Sequence, residues 1–171
     1  MVSSKVQQFL NSWKEGVIAI GKVYVNGGDY KKSAQEFISS HYAFSTEKVL
    51  FKPTFTKTKI FRNAQDEALS YFVKGDCEED HGFALKPWEA ITLKELNTVE
   101  ENELIVAMGT LSFKPINLDQ TTLVAFTFLL IDIEESKELE ELRSSMGLSM
   151  LPNNETFYIV IGYKKTFLFV M

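Results

Sequence analysis

The chain has 171 residues, of which 45% are hydrophobic, and this combination is typical of one folded globular domain. Its net charge of −5 argues against general affinity for nucleic acid or anionic lipid, because such partners require clustered Lys and Arg. Cys77 is the only cysteine, which excludes an intrachain disulfide and a cysteine-rich zinc site. We therefore expect a single cytoplasmic domain over residues 1–171, with no metal, no cofactor, no nucleic acid and no membrane as partner.

Two amphipathic helices are predicted at the start of the chain. Apolar residues recur every three or four positions over Val6–Ile20, and Ser4 and Gln7 have the spacing of a capping box. Gly27-Gly28 interrupts this pattern, and Asp29 is placed to cap a second helix. The apolar stripe of that second helix comprises Ala34, Phe37, Ile38 and Tyr42.

A short extended segment and a third helix follow. The run Val49–Phe55 is apolar but contains Pro53, which cannot donate a ladder hydrogen bond, so an edge strand or an extended link is predicted. Asn63 is expected to start the third helix, with Asp66 at its third position, where a carboxylate favours the helix dipole. Gly75 is expected to end it.

The second half of the chain has the patterning of a sheet. From Trp88 the hydrophobic period becomes two, and Leu104–Phe113 and Thr121–Ile131 are long β-type runs joined by the turn-rich Lys114–Asp119. Helices that precede a strand meander indicate an α+β fold rather than a parallel α/β sheet.

The character of the sequence changes after Ile131. Glu134–Leu142 is rich in glutamate with leucines at helical spacing, which predicts a helix. Phe157–Ile161 and Thr166–Val170 are predicted to form a last hairpin. Residues 1–131 are therefore the expected core, and 132–171 a divergent C-terminal segment.

Several short blocks carry a resemblance to a known superfamily. The blocks are Leu50-Phe51-Lys52-Pro53-Thr54, Phe61-Arg62, Ala68-Leu69-Ser70-Tyr71-Phe72, Gly82-Phe83-Ala84-Leu85-Lys86-Pro87-Trp88, Ala107–Phe113 and Phe126-Thr127-Phe128. They resemble the nuclear transport factor 2-like (SnoaL-like) superfamily, and within it an uncharacterised group often labelled phosphoribosyl-AMP cyclohydrolase. The resemblance implies a cystatin-like fold, in which a cone-shaped, curved antiparallel sheet is plugged by N-terminal helices, and often a homodimer through the sheet face.

Two features depart from what the resemblance implies. A true cyclohydrolase has cysteine zinc ligands, whereas His41 and His81 lack ligand spacing and the chain has one cysteine, so that label does not fit. The family's last strand carries paired histidines followed by serines, but here Arg143-Ser144-Ser145 is followed by Met146-Gly147. The resemblance runs from Trp13 to Leu129, and either divergence or a shifted reading frame accounts for its end there.

The predicted cone suggests a ligand pocket. In such a fold the first helix and the concave sheet face enclose a cavity, so Trp13, Tyr71 and Trp88 are candidates to line a pocket for a small apolar or aromatic ligand. Lys52 is a candidate to hold an anionic ligand, as are Arg62 and Lys86, although these cations could instead pair with the acidic loop that follows the third helix. The same aromatic residues would also suit a solid core.

That acidic loop, Asp76–His81, is the densest cluster of titratable groups. A carboxylate beside a histidine can tune proton transfer, so Asp80 and His81 are candidate catalytic groups, with Tyr71 as a proton donor. A solvated acidic surface loop accounts for the same residues. Three functions remain open: a homodimeric small-molecule-binding domain, an isomerase, lyase or hydrolase of the SnoaL-like type, and an association domain without catalysis.

Overall fold

The computed structural model describes residues 4–101 and 104–132 with their side chains, except that of Asp132, and residues 157–163 as backbone. Helices occupy the first part of this region and strands the second. The elements are α1 (Ser4–Val25), α2 (Tyr30–His41), β1 (Leu50–Lys52), α3 (Gln65–Val73), β2 (Trp88–Glu101), β3 (Leu104–Pro115), β4 (Thr122–Asp132) and β5 (Phe157–Tyr163). The predicted α+β class is confirmed.

The five strands form one sheet in the order β1-β5-β4-β3-β2. Strands β2 to β5 pair antiparallel in a meander, as the alternating pattern predicts. Strand β1 lies at the sheet edge, which confirms the prediction from Pro53, but it pairs parallel to β5. The sequence pattern did not indicate that parallel pair, because its two strands are about a hundred residues apart.

The helices α1 and α2 bury the apolar stripes that the sequence predicts. Val6, Leu10, Val17 and Ile20 on α1 are fully buried. Its aromatic rings contact the sheet, with ring centroids of Trp13 and Phe128 5.9 Å apart. Asp29 caps α2 as expected, since its carboxylate accepts a hydrogen bond from the Lys32 N–H at 3.0 Å. None of the helices in the described part of the chain is long and apolar enough to cross a membrane.

The predicted ends of the third helix need correction. Helix α3 begins at Gln65 with Ala64 as N-cap, and the Glu67 carboxylate accepts the Ala64 N–H at 3.3 Å. Asn63 does not cap it, because its side-chain oxygen instead accepts the N–H of Phe51 at 2.9 Å. At the other end the left-handed residue is Lys74, one position before the predicted Gly75.

The C-terminal predictions are tested only in part. Strand β5 confirms the extended structure predicted for Phe157–Ile161. The helix predicted over Glu134–Leu142 and the strand over Thr166–Val170 lie outside the described residues. The single domain, with its division into residues 1–131 and 132–171, stays a prediction.

The long connection between β1 and α3 is held in place by Glu79. Its carboxylate accepts hydrogen bonds from three successive backbone N–H groups, those of Lys57, Thr58 and Lys59, at 2.6, 2.9 and 2.8 Å. These N–H groups, led by that of Thr58, lower the pKa of Glu79 from its ordinary 4.5 to about 2. The connection is therefore fixed to the loop after α3 although it contains no helix or strand.

We expect Gly109→Ala to destabilise the sheet. Gly109 in β3 pairs with Leu96 of β2, and a Cβ there would overlap the carbonyl oxygen of Glu95 and approach the Phe126 ring to 3.0 Å. The free energy of unfolding, measured by chemical denaturation, should fall by about 1–3 kcal/mol. Lys94→Ala, at an exposed polar side chain on β2, should change it by less than about 0.5 kcal/mol. Equal effects of the two variants would contradict the close approach.

Glu79 should make stability depend on acid pH. Because its folded pKa is lower than its unfolded pKa, its contribution is fully present above about pH 4.5 and is lost as pH falls towards 2. Glu79→Gln should be less stable than the wild type at pH 7, and the difference should shrink between pH 4.5 and 2. Denaturant unfolding across this range measures it, with Glu78→Gln at an exposed neighbour as the control. A constant difference across the range would show that the Glu79 carboxylate is not the source.

Candidate functional site

A small cavity lies between α1, α3, the start of the β1–α3 connection and the inner face of the sheet, with a volume of about 30 Å³. Most of its wall is aromatic or aliphatic, from residues such as Phe51, Phe83 and Phe128. The lining residues with a polar side-chain atom are Trp13, Tyr42, Lys52, Thr54 and Tyr71. The structure thus combines an apolar wall with a few polar groups, as is usual for small-molecule sites.

Thr54 supplies a buried polar atom without a partner. Its Oγ1 atom is buried and makes no hydrogen bond within the described part of the chain. Leaving a buried hydroxyl unsatisfied costs about 1–3 kcal/mol, and such groups in folded proteins are normally paired with protein or with water. The Thr54 hydroxyl therefore has a stability cost that no contact with the described residues offsets.

Tyr71 brings a second hydroxyl to the same cavity from α3. Burial raises the pKa of Tyr71, and hydrogen bonds from the backbone N–H groups of Phe55 and Thr54 only partly oppose this effect. The phenol is therefore neutral at physiological pH. A neutral phenol retains an O–H group that can donate a hydrogen bond.

Trp13 and Tyr42 meet where α1 approaches the end of α2. The Trp13 Nε1–H donates to the Tyr42 hydroxyl at 3.3 Å, and burial raises the pKa of Tyr42. This second phenol is thus also neutral. Trp13 was predicted to line a pocket, whereas Tyr42 was predicted only as part of a buried helix stripe.

Of the other predicted pocket residues, Lys52 lines the cavity and Trp88 does not. Lys52 is half-buried on β1 and brings a positive charge to the wall. Trp88 packs behind Phe83, with ring centroids 5.8 Å apart, and its Nε1–H donates to the Phe83 carbonyl at 3.0 Å. The Trp88 indole therefore packs against Phe83, a residue of the cavity wall, without lining the cavity itself.

The structure does not bring Asp80 or His81 to the cavity that Tyr71 lines. Asp80 is buried and its two oxygens accept hydrogen bonds from Arg62 at 2.7 and 3.0 Å, with Ser70 as a further donor at 2.6 Å. His81 is exposed. Arg62 pairs with the acidic loop, as one alternative from the sequence anticipated.

The described residues offer no group of three His, Cys, Asp or Glu side chains placed to hold a metal ion. The polar lining is instead made of hydroxyls, an indole and one ammonium group. Thr54 was missed as a functional residue by sequence reasoning, although it ends one of the blocks that carry the family resemblance. The signal would have been a hydroxyl residue directly after Pro53 in an otherwise apolar run.

Comparison with known proteins gives this site a context. The model of the family described as metal-independent carbonic anhydrase matches residues 4–145. The metal-independent carbonic anhydrase of Nostoc sp. (strain PCC 7120) is 32% identical over 114 residues, which cover 64% of this chain and 56% of that protein. The chain therefore matches little more than half the length of this relative.

Two solved structures share the fold. The crystal structure of a cyanobacterial iota-carbonic anhydrase complexed with bicarbonate superposes with a TM-score of 0.78 at 24% identity, over 96% of this chain and 91% of that one. A nuclear transport factor 2-like protein of unknown function from Shewanella oneidensis MR-1 superposes with a TM-score of 0.50 at 16% identity, over 96% and 98%. Both support the predicted nuclear transport factor 2-like fold.

These similarities refine the resemblance drawn from the motifs. The matched family is not the phosphoribosyl-AMP cyclohydrolase group, in agreement with the missing zinc ligands. The family match also extends to residue 145, past Leu129, where the quoted motifs end. With a nuclear transport factor 2-like fold and a family match over residues 4–145, this chain belongs to the metal-independent carbonic anhydrase family.

Proposed function

We propose that this protein binds bicarbonate in the cavity and interconverts it with carbon dioxide without a metal ion. The observation that carries the proposal is the unsatisfied Thr54 hydroxyl beside the neutral Tyr71 phenol in a cavity of about 30 Å³. Membership of the family supports it, as does the bicarbonate bound to the cyanobacterial relative.

The size of the cavity favours a very small substrate. A water molecule needs roughly 10–15 Å³ of such space, so the cavity has room for about two waters, which is the size range of carbon dioxide and bicarbonate. An aromatic ligand, which the wall of rings suggested, requires far more, since a cavity of roughly 150 Å³ is the scale that admits benzene. The apolar wall suits carbon dioxide, while Lys52 and the hydroxyls suit the anion.

In the hydration direction, the oxygen of a water molecule attacks the carbon of carbon dioxide, and one C=O electron pair moves onto oxygen. The Tyr71 O–H donates to the oxygen on which this negative charge develops, and a preorganised donor in a water-poor site stabilises the transition state. The Thr54 Oγ1 accepts a hydrogen bond from the attacking water and orients it. The proton passes to solvent water, because no described lining residue is a carboxylate or imidazole. Dehydration reverses these steps.

The outer face of the sheet supports a second part of the proposal, a homodimer. Four apolar side chains on this face of β2, β3 and β4 are between 48% and 67% exposed, namely Val99, Leu104, Met108 and Leu123. Exposed apolar side chains grouped on one face of a monomer are one mark of an interaction surface. The same patch would serve an association domain, so dimerisation and catalysis are tested separately.

Tyr71→Phe should lower kcat for carbon dioxide hydration by about 10²–10³-fold, because it removes the donor to the developing negative charge. Stopped-flow assay with a pH indicator measures this, and Tyr24→Phe, at a half-exposed tyrosine outside the cavity, is the matched control. Wild-type protein with neither activity nor bicarbonate binding by ¹³C NMR would refute the proposal. Full activity in Tyr71→Phe would refute the role of Tyr71.

Thr54→Val should separate stability from function. Removal of an unpaired buried hydroxyl at nearly constant shape should raise the free energy of unfolding, on the order of 1 kcal/mol. The same change should reduce carbon dioxide hydration at least about tenfold, because the attacking water loses its acceptor. Denaturant unfolding and stopped-flow assay measure the two effects. A stabilised variant with full activity would show that this hydroxyl serves no substrate.

Met108→Glu should shift a dimer to monomers by placing a charge in the apolar outer face. Light scattering after size exclusion gives the solution mass, and Lys94→Glu, at an exposed polar position on β2, controls for the added charge. A wild-type protein that is monomeric at micromolar concentration would contradict the dimer.

A further inference from the structure

Outside the cavity, the described residues contain a buried ionic cluster that the proposed reaction does not use. Its centre is Arg62, whose side chain is fully buried. The guanidinium donates to both oxygens of Asp80 at 2.7 and 3.0 Å, to Glu79 at 3.0 Å and to the Lys59 carbonyl at 2.9 Å. Desolvation makes such a cluster expensive, and well-packed apolar residues of similar volume are often at least as stabilising. Its presence therefore points to a role in geometry.

The cluster fixes the chain on both sides of Thr54. Upstream, the Arg62 backbone N–H donates to the Phe51 carbonyl at 2.8 Å, and Phe51 lies three residues before Thr54. Downstream, Glu79 holds the backbone N–H groups of Lys57, Thr58 and Lys59. Thr54 is thus placed between two anchors that share Arg62, one through its backbone N–H and the other through its guanidinium.

The same cluster also reaches the segment that carries Tyr71. The Ser70 hydroxyl, one residue before Tyr71 on α3, donates to Asp80 at 2.6 Å and accepts the Cys77 N–H at 3.1 Å. The Phe83 N–H donates to the carbonyl of Tyr71 itself at 3.0 Å. Asp80 therefore connects α3 with the connection that carries Thr54.

We propose that Arg62, Asp80, Glu79 and Ser70 act as positioning residues that hold Thr54 beside Tyr71 in the wall of the cavity. None of these four residues lines the cavity, so they act through Thr54 and Tyr71. A misplacement of about 1 Å in a catalytic site can cost about 10²-fold in rate, which makes a rigid link between the two segments valuable. In its effect on rate, this inference rests on the proposed function.

A double-mutant cycle tests the link. Glu79→Gln weakens one anchor at a partly exposed side chain, and it should lower kcat for carbon dioxide hydration about tenfold or more with little change in KM. In the Thr54→Val background, the same substitution should lower kcat by no more than about twofold, because the group it positions is absent. The exposed Glu78→Gln should have no effect in either background.

A merely structural role for Glu79 predicts equal losses in both backgrounds, and that result would overturn the inference while leaving the proposed function intact. Arg62→Lys is the second variant, since it keeps the charge but loses the two-pronged contact with Asp80. Arg62→Lys should likewise lower kcat when Thr54 is present and have a much smaller effect in the Thr54→Val background.

Hydrogen exchange provides a readout that needs no activity. The backbone N–H groups of Thr54 and Phe55 contact the Tyr71 phenol, so loosening of the link should speed their exchange in Glu79→Gln but not in Glu78→Gln. If the wild type neither binds bicarbonate nor hydrates carbon dioxide, the proposed function fails, and faster exchange still supports the positioning role. Unchanged exchange at Thr54 and Phe55 would overturn it.

Discussion

The buried pair of Arg62 and Asp80 is the contact on which the geometry of the cavity depends. One wall of the cavity comes from β1 and the irregular connection that follows it, which lacks the hydrogen-bond ladder of a helix or sheet. The Arg62 guanidinium fixes this connection in place of backbone hydrogen bonds, because its rigid set of donors reaches two carboxylates and a carbonyl. Removing either partner would leave a buried charge without compensation, at a cost of about 3–5 kcal/mol.

This arrangement keeps the carboxylates of the acidic loop away from the cavity. Arg62 and backbone N–H groups bind Asp80 and Glu79 outside the cavity, whereas the lining residues with a polar side-chain atom are Trp13, Tyr42, Lys52, Thr54 and Tyr71. Burial, which raises the pKa of Tyr42 and Tyr71, keeps both as donors. The unsatisfied Thr54 hydroxyl in the same wall costs stability, because a buried hydroxyl normally has a hydrogen-bond partner.

Sequence reasoning succeeded where the determining interactions are local. The stripe of α1 and the Asp29 cap of α2 follow from neighbours within one or two helical turns, and both are confirmed. Asn63 shows that sequence reasoning fails where a distant contact competes with a local one. Its side chain could cap the next helix but instead accepts the N–H of Phe51, twelve residues earlier. Asp80, a candidate catalytic group from the sequence, is a second example, because its oxygens accept hydrogen bonds from Arg62, eighteen residues away. The parallel pairing of β1 with β5 spans a still longer separation.

The sequence by itself therefore determined the α+β class, the amphipathic helices and the strand meander. Periodicity and capping depend on residues that are close in the chain, so they can be read without coordinates. Only the tertiary structure decided that Thr54 lines the cavity with a buried, unpaired hydroxyl and that Asp80 and His81 lie outside it. These assignments depend on contacts between residues that are distant in the sequence, and the packing of the fold determines which of those contacts form.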